Sequence, residues 1–336
     1  MKIVDSFLFS EAFEKELLLL KFVLEDSCVD EWLLLENAYS FQGDFKGLQA
    51  KKILETDDRF RPYLDKITII SEERETTKLA KDEVLDNEAF KIEYWQRDLA
   101  YNYFINKYND NDWIIISDVD ESLDFSDDPR KTELLQRMQT DKHGVLHVST
   151  KRYWYDFDNE YQPLYGIPIC TKAYLLANRK KLHDVRVEYH ADLKMKWENI
   201  IGFEYSSCFK IDEIYRKLNT NSHMAFMVEE IKESLRCNHR PASKLRQMKV
   251  KNDSRFFFEI VPLKENNSPK YVRDNLENLK TYNIDLNYRR NRRTTYPEIF
   301  TIKYLLKEKI EKQVKKAKTV IRQIFRVLKL ERFIYE

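Results

Sequence analysis

Glycine is scarce, with five in 336 residues. That excludes collagen-like, low-complexity and glycine-rich linker architectures. It also excludes a phosphate-binding loop built on glycine, and neither GxGxxG nor GxxxxGK[ST] occurs in the chain. Cysteine is scarce too. Cys28, Cys170, Cys208 and Cys237 lie too far apart for a CxxC pair or a zinc ribbon. Their spacing fits free thiols in a reducing compartment better than a disulfide framework. No stretch approaches the roughly 18 uncharged apolar residues of a membrane span. Asp5 and Glu11 interrupt the apolar N-terminal run where a signal peptide would carry no acid. The expected location is cytoplasmic.

Apolar residues are plentiful: hydrophobic side chains make up 43% of the chain, enough to bury a substantial core. A net charge of +1 hides an asymmetry, because Arg289 to Arg332 carries fifteen Lys/Arg against four Asp/Glu, or +11, leaving −10 for the rest. Within that basic stretch Ile302, Leu305, Leu306, Ile310, Val314, Ala317, Ile321, Ile324, Phe325 and Leu328 step by threes and fours. The spacing predicts a basic amphipathic helix over 299–336. Such a helix suits peripheral attachment to an anionic membrane surface, or packing against its own domain or a partner subunit. Charge gives non-specific affinity for nucleic acid, but no reading motif accompanies it, and nucleic acid is not an expected partner.

The first half alternates short apolar runs with helical stretches. Strands are expected at Ile3–Phe9, Trp32–Leu35, Lys66–Ile70, Trp113–Ser117 and Val145–Ser149. Helices are expected at Glu11–Glu25, Gly47–Leu54, Glu88–Tyr108 and Pro129–Thr140. Continuous apolar strands separated by helices predict an α/β fold with a mostly parallel central sheet covered on both faces. From Lys151 to Arg240 the pattern turns irregular and aromatic, a composition that stacks sugar rings or fills a core. The expected organisation is a domain over 1–240, with a donor half over 1–150 and an acceptor half over 151–240, then a loop-rich wrap over 241–298 and the tail.

Three D-x-D triplets occur: Asp110–Asp112, Asp118–Asp120 and Asp156–Asp158. The first lies in the turn-like KYNDND and the third among polar residues. Asp118-Val119-Asp120-Glu121 follows the buried strand WIIIS, which places it at the carboxyl end of a parallel strand, where α/β sheets hold ligands. Two carboxylates there suit Mg²⁺ or Mn²⁺ bridging a diphosphate. The other reading of these acids is a solvated helix cap. IIISDVDES also approaches the D-x-D-x-[TV] of haloacid-dehalogenase phosphatases, but that motif belongs on a first strand and its fifth position here is Ser122.

Several segments in order resemble glycosyltransferase family 17: IVDSFLFSEAFEKELLLLKF, VDEWLLLENAYSFQGDFKG, WQRDLAYNYF with DWIIISDVDES, IIGFEYSSCFKIDEIYRKLNTNSH, and SPKYVRDNLENLKTY. The match runs over roughly residues 3–283. The resemblance implies a GT-A fold, a UDP-sugar donor with UDP-GlcNAc as precedent, a divalent metal, and inversion at the anomeric carbon. It places Asp118 and Asp120 as metal ligands, and His223 as a third metal ligand or a diphosphate contact. Asp5, Phe7, Glu36, Arg97 and Asp118 become donor-binding positions, with Arg97 pairing either with a phosphate or with Asp118. Glu204 stands where the family segment Gly-Trp-His-Phe-Ser has histidine. An inverting transfer needs a general base; the candidates are Glu204, Asp192, Glu229 and Glu121, and Glu204 is preferred for its aromatic segment. Golgi members of the family carry an N-terminal anchor, whereas this chain starts directly at the first strand, so the expectation is a cytosolic enzyme building a cell-surface polysaccharide or glycolipid, with a glycan or lipid-linked saccharide as acceptor. A non-catalytic sugar-binding scaffold remains the alternative, in which Asp118 and Asp120 are dispensable.

Overall fold

The structure is a computed structural model that describes residues 1–75, 86–126, 128–154, 157–161, 166–188, 201–206, 208–210, 213, 216–217, 220, 258–260, 263 and 268–279. The chain divides into two compact units, Met1–Ala242 with Phe257–Asn283, and Ser243–Phe256 with Ile284–Glu336. All described residues belong to the first. The basic tail, and with it most of the expected wrap, lies outside them.

The first half of the chain carries a parallel sheet. β1 (Ile3–Leu8) lies between β2 (Glu31–Asn37) and β4 (Trp113–Asp118), and β3 (Ile67–Glu72) flanks β2, each pair parallel. Trp113–Ile116 is continuously apolar because helices cover both faces of the sheet. Strand parity sorts the side chains. Ile3, Phe7, Trp113 and Ile115 enter one core with Leu18, Leu19 and Phe22 of α1 (Lys15–Glu25). Val4, Leu8, Ile114 and Ile116 enter another with Ala100 and Phe104 of α4 (Leu99–Lys107). α2 (Ala50–Thr56) follows β2.

Two expected helices are interrupted. A 3-10 turn, Ala12–Glu14, precedes α1, with the Glu14 carboxylate accepting the Ser10 and Glu11 amides. The stretch expected at Glu88–Tyr108 is α3 (Asp86–Arg97) and α4, separated at Asp98. There an i→i+3 bond from Tyr101 N to Asp98 O tightens the turn.

Beyond β4 the sheet turns antiparallel. β6 (Val145–Trp154) runs in the direction of β4 but is not its neighbour, because β8 (Gly166–Thr171) inserts between them antiparallel to both. Residues 155–165 are too short a connection for a helical crossover, so the chain turns back on itself. They carry the short β7 (Asn159–Tyr161). β5 (Glu121–Leu123) pairs antiparallel with β9 (Gly202–Ser206), which lies parallel to β6. α5 (Asp128–Thr140) links β5 to β6, and α6 (Lys172–Asn178) and α7 (Leu182–Val187) follow β8. β10 (Phe258–Ile260) pairs with β7. The segment SPKYVRDNLENLKTY carries α8 (Lys270–Asp274), which packs on α1 with Val272 buried, and α9 (Leu276–Leu279), which ends the described chain.

Candidate active site

The parity that fills the core also aims the polar residues of β1 and β4. Asp5 lies between Ile3 and Phe7 on the α1 face, and Ser117 follows Ile115 on that face. Lys21, fully buried in α1, meets them there. Its Nζ lies 2.5 Å from Asp5 Oδ2 and 3.1 Å from Glu25 Oε1, and it donates to Ser117 Oγ at 3.0 Å and to the Glu121 carbonyl at 2.6 Å. Ser117 Oγ donates to Asp5 Oδ1 at 2.7 Å. Glu25 also accepts from Trp32 Nε1 and from the Leu123 amide. Burial opposes the Lys21 charge, but Asp5 and Glu25 outweigh it and hold the ammonium. Burial pushes the Glu25 carboxyl well up, and the Asp5 charge adds to it.

Asp118, one residue on, faces the other side. Arg97, the last residue of α3 and buried, donates to Asp118 Oδ1 at 2.8 Å and to the Ser117 carbonyl at 2.8 Å. Arg186 of α7 donates to Asp118 Oδ2 at 3.0 Å and to Glu121 Oε1 at 2.7 Å. Burial alone would lift the Asp118 carboxyl; Arg97 and Arg186 outweigh it and hold it well below the usual carboxylate range. Arg97 thus pairs with Asp118, one of the two partners expected for it. α7 is anchored through His183, whose amide donates to Asp98 Oδ1 at 3.0 Å and whose Nδ1 lies 2.6 Å from Asp98 Oδ2.

Val119 is buried in the core between the two aspartates, and Asp120 follows in the turn to β5. Lys217 Nζ donates to Asp120 Oδ2 at 2.9 Å and lies 3.7 Å from Glu14 Oε1. Its neighbour Arg216 donates to Glu11 Oε2 at 2.9 Å. Burial works against the Lys217 charge, but Asp120 and Glu14 outweigh it and raise the ammonium's pKa. Burial pushes the carboxyls of Glu11 and Glu14 up.

Across the β5–β9 ladder Glu121 stands opposite Glu204. Burial pushes the Glu121 carboxyl up to about 7, opposed by Arg186 and helped by Asp118 and Glu204. Glu204 accepts from Arg152 and from the Ser206 hydroxyl. The aromatic segment around it is a core. Tyr205 stacks on Tyr153 at 5.5 Å and packs on Phe157 at 4.8 Å, and all three are buried. Gly202 lets β9 approach β6: a Cβ there would stand 2.9 Å from the Ser149 carbonyl oxygen.

The structure thus brings Arg97, at the end of α3, and Glu204, in the middle of β9, to the acidic turn after β4 that carries Asp118 and Asp120. Phe7 is fully buried against Phe22 and Lys21, and Asp5 is committed to Lys21 and Ser117. The Glu36 carboxylate accepts the amides of Gln49 and Ala50 at the start of α2. Asp112 accepts the Lys2 and Asn109 amides at the opposite end of β4, which fixes a turn there. His223, Asp192, Glu229 and Asp156 lie outside the described residues. Sequence reading missed Lys21, Arg186 and Lys217. Lys21 had a signal: a lone cation inside the run LLLLKFVL, four residues before Glu25, marks a buried pair. Arg186 and Lys217 had none, since tertiary packing alone brings α7 and the 216–217 segment to β4.

Among the described residues no three His, Cys, Asp or Glu stand together as a group that could hold a metal ion. None of the individually curated proteins compared with the chain matches it. Residues 1–236, which hold the parallel sheet, both aspartates and the arginines on Asp118, match the model of glycosyltransferase family 17, and the chain belongs to that family.

Proposed function

We propose that this glycosyltransferase takes its sugar from a UDP-sugar, UDP-GlcNAc by family resemblance, with Mn²⁺ or Mg²⁺, and transfers it with inversion to a glycan or lipid-linked saccharide. The supporting observation is the acidic pair at the carboxyl end of β4, set among Arg97, Arg186 and Lys217. A cation-rich strand end is where an α/β sheet receives a nucleotide diphosphate. Two hard carboxylates fit a divalent ion that keeps water and takes its other ligands from substrate phosphates. Asp118 and Asp120 would hold that ion, with His223 as the third protein ligand. When bound, the metal neutralises charge on the departing diphosphate.

Arg97 and Arg186 keep Asp118 ionised and fix its direction. Asp5, Ser117 and Lys21 lock the backbone just before it. Glu204 is the proposed base, accepting the proton of the acceptor hydroxyl.

Titrating UDP calorimetrically with and without Mn²⁺ tests the donor site. Metal-dependent binding in the wild type, lost in Asp120→Ala, is the expected result. Binding that survives in Asp120→Ala would favour the non-catalytic reading. Glu204→Gln is expected to keep UDP binding and lose transfer; unchanged transfer would move the base to another carboxylate.

A further inference from the structure

Lys217 stands where a metal would compete with it. Its ammonium is 2.9 Å from Asp120 Oδ2 and 3.7 Å from Glu14 Oε1, with the Phe209 ring centroid 4.9 Å away. The segment that carries it is stapled to the loop after β1. Arg216 pairs with Glu11 and lies over Phe13, whose ring meets Phe209 edge-on at 5.0 Å. Asp118 already carries two guanidiniums and Asp120 one ammonium, so the acidic pair is neutralised before any ligand arrives. A divalent ion approaching Asp120 meets a positive charge already within hydrogen-bond distance of the oxygen it needs. Two carboxylates alone also leave most of its coordination shell unfilled.

Both difficulties disappear when the metal arrives with a diphosphate. The phosphate oxygens complete the shell and bring negative charge, which gives the ammonium somewhere to go. The two kinds of cation differ in freedom. The arginines are fixed forks buried or half-buried against backbone carbonyls, whereas a lysine is a compact charge on a flexible four-carbon stem. We propose that Lys217 is a donor-phosphate ligand that serves as the counter-ion of Asp120 when no donor is bound, and that metal and diphosphate together displace it from Asp120 onto a phosphate oxygen. This rests on the metal–diphosphate reading of the site and adds to it an order of events: Mn²⁺ alone binds poorly, and the nucleotide recruits it.

The test is calorimetric titration of Mn²⁺ alone, and of UDP in saturating Mn²⁺, into wild type, Lys217→Met and Lys217→Arg. Loss of one charge-assisted hydrogen bond predicts UDP binding about ten- to hundredfold weaker in Lys217→Met. Mn²⁺ alone is expected to bind the same variant more tightly than wild type, because Asp120 has lost its competitor. Lys217→Arg is expected to keep most of the UDP affinity. Misfolding would weaken both ligands together, so opposite shifts in one variant exclude it. UDP affinity unchanged in Lys217→Met, or Mn²⁺ affinity unchanged or reduced, overturns the Lys217 proposal and leaves the donor site standing. Failure of wild type to bind UDP under any metal condition overturns the donor reading and the Lys217 proposal with it.

Discussion

At the scale of single residues, the largest electrostatic commitment is Lys21. It is fully buried with Asp5 and Glu25, and each partner has further donors. A buried ion pair is weak evidence for net stability, but removing one partner strands the others. Lys21→Met is therefore expected to cost about 3–5 kcal/mol in chemical denaturation. Adding Glu25→Gln should recover part of that loss, since one stranded carboxylate is removed and the two sites share a network. If Lys21→Met costs less than about 1 kcal/mol, the network does not hold its charges as described. Ser117 links this network to Asp118 through one peptide bond, so the same variant tests how far the site depends on the core beneath it.

At the scale of elements, α4 is pinned to the start of β2 by Glu31, far from the acidic pair at the other end of the sheet. Lys107, Thr68, Tyr103 and Tyr108 all donate to its carboxylate. Burial would raise this carboxyl, but the four donors hold it at about 2 against an ordinary 4.5. A depressed carboxyl adds stability above its unfolded pKa, and that stability is lost as pH falls through the folded value. The window runs from about 4.5 down to about 2. Glu31→Gln is expected to flatten the fall in melting temperature across that window and to cost up to roughly 3 kcal/mol at neutral pH. Equal slopes in wild type and variant would remove the attribution.

β9 offers a second test at this scale. An added Cβ at Gly202 meets backbone of β6, and a strand held on both edges has little room to move. Gly202→Ala is expected to lower stability by about 1–3 kcal/mol. It should also slow transfer, because Glu204 rides on β9 and the carbonyl of Asp120, in the turn after β4, accepts the Tyr205 amide of the same strand. The glycine of the family-like segment was visible in the sequence, but its reason, the close pass of β6, was not.

At the scale of the molecule, charge is divided between an acidic body and a basic C-terminal stretch. The family match ends at residue 236, before that stretch begins. No helix among the described residues is long and apolar enough to cross a membrane. If the basic stretch serves attachment, a chain ended after Thr301 should bind UDP like the full chain and lose binding to vesicles rich in anionic lipid. Salt should weaken the full chain's binding to the same vesicles. Vesicle binding retained by the shortened chain would place attachment elsewhere.

Local pattern was enough for the first half of the fold. The apolar runs of β1, β2, β3 and β4 and their helices follow from periodicity, and the acidic motif was separated from its two rivals by the buried strand before it. Family membership, too, was legible from short segments in order: four of the five fall within the matched residues 1–236, and the last, SPKYVRDNLENLKTY, lies beyond them. What pattern could not supply was adjacency. Whether β6 lies beside β4 or is parted from it by an antiparallel β8 depends on a short connection and long-range pairing, which no local period encodes. Likewise Arg186 and Lys217 carry no mark in the sequence. A cation becomes part of this site only when packing brings its element within about 3 Å of a carboxylate made costly to bury, and that distance is a property of the folded chain.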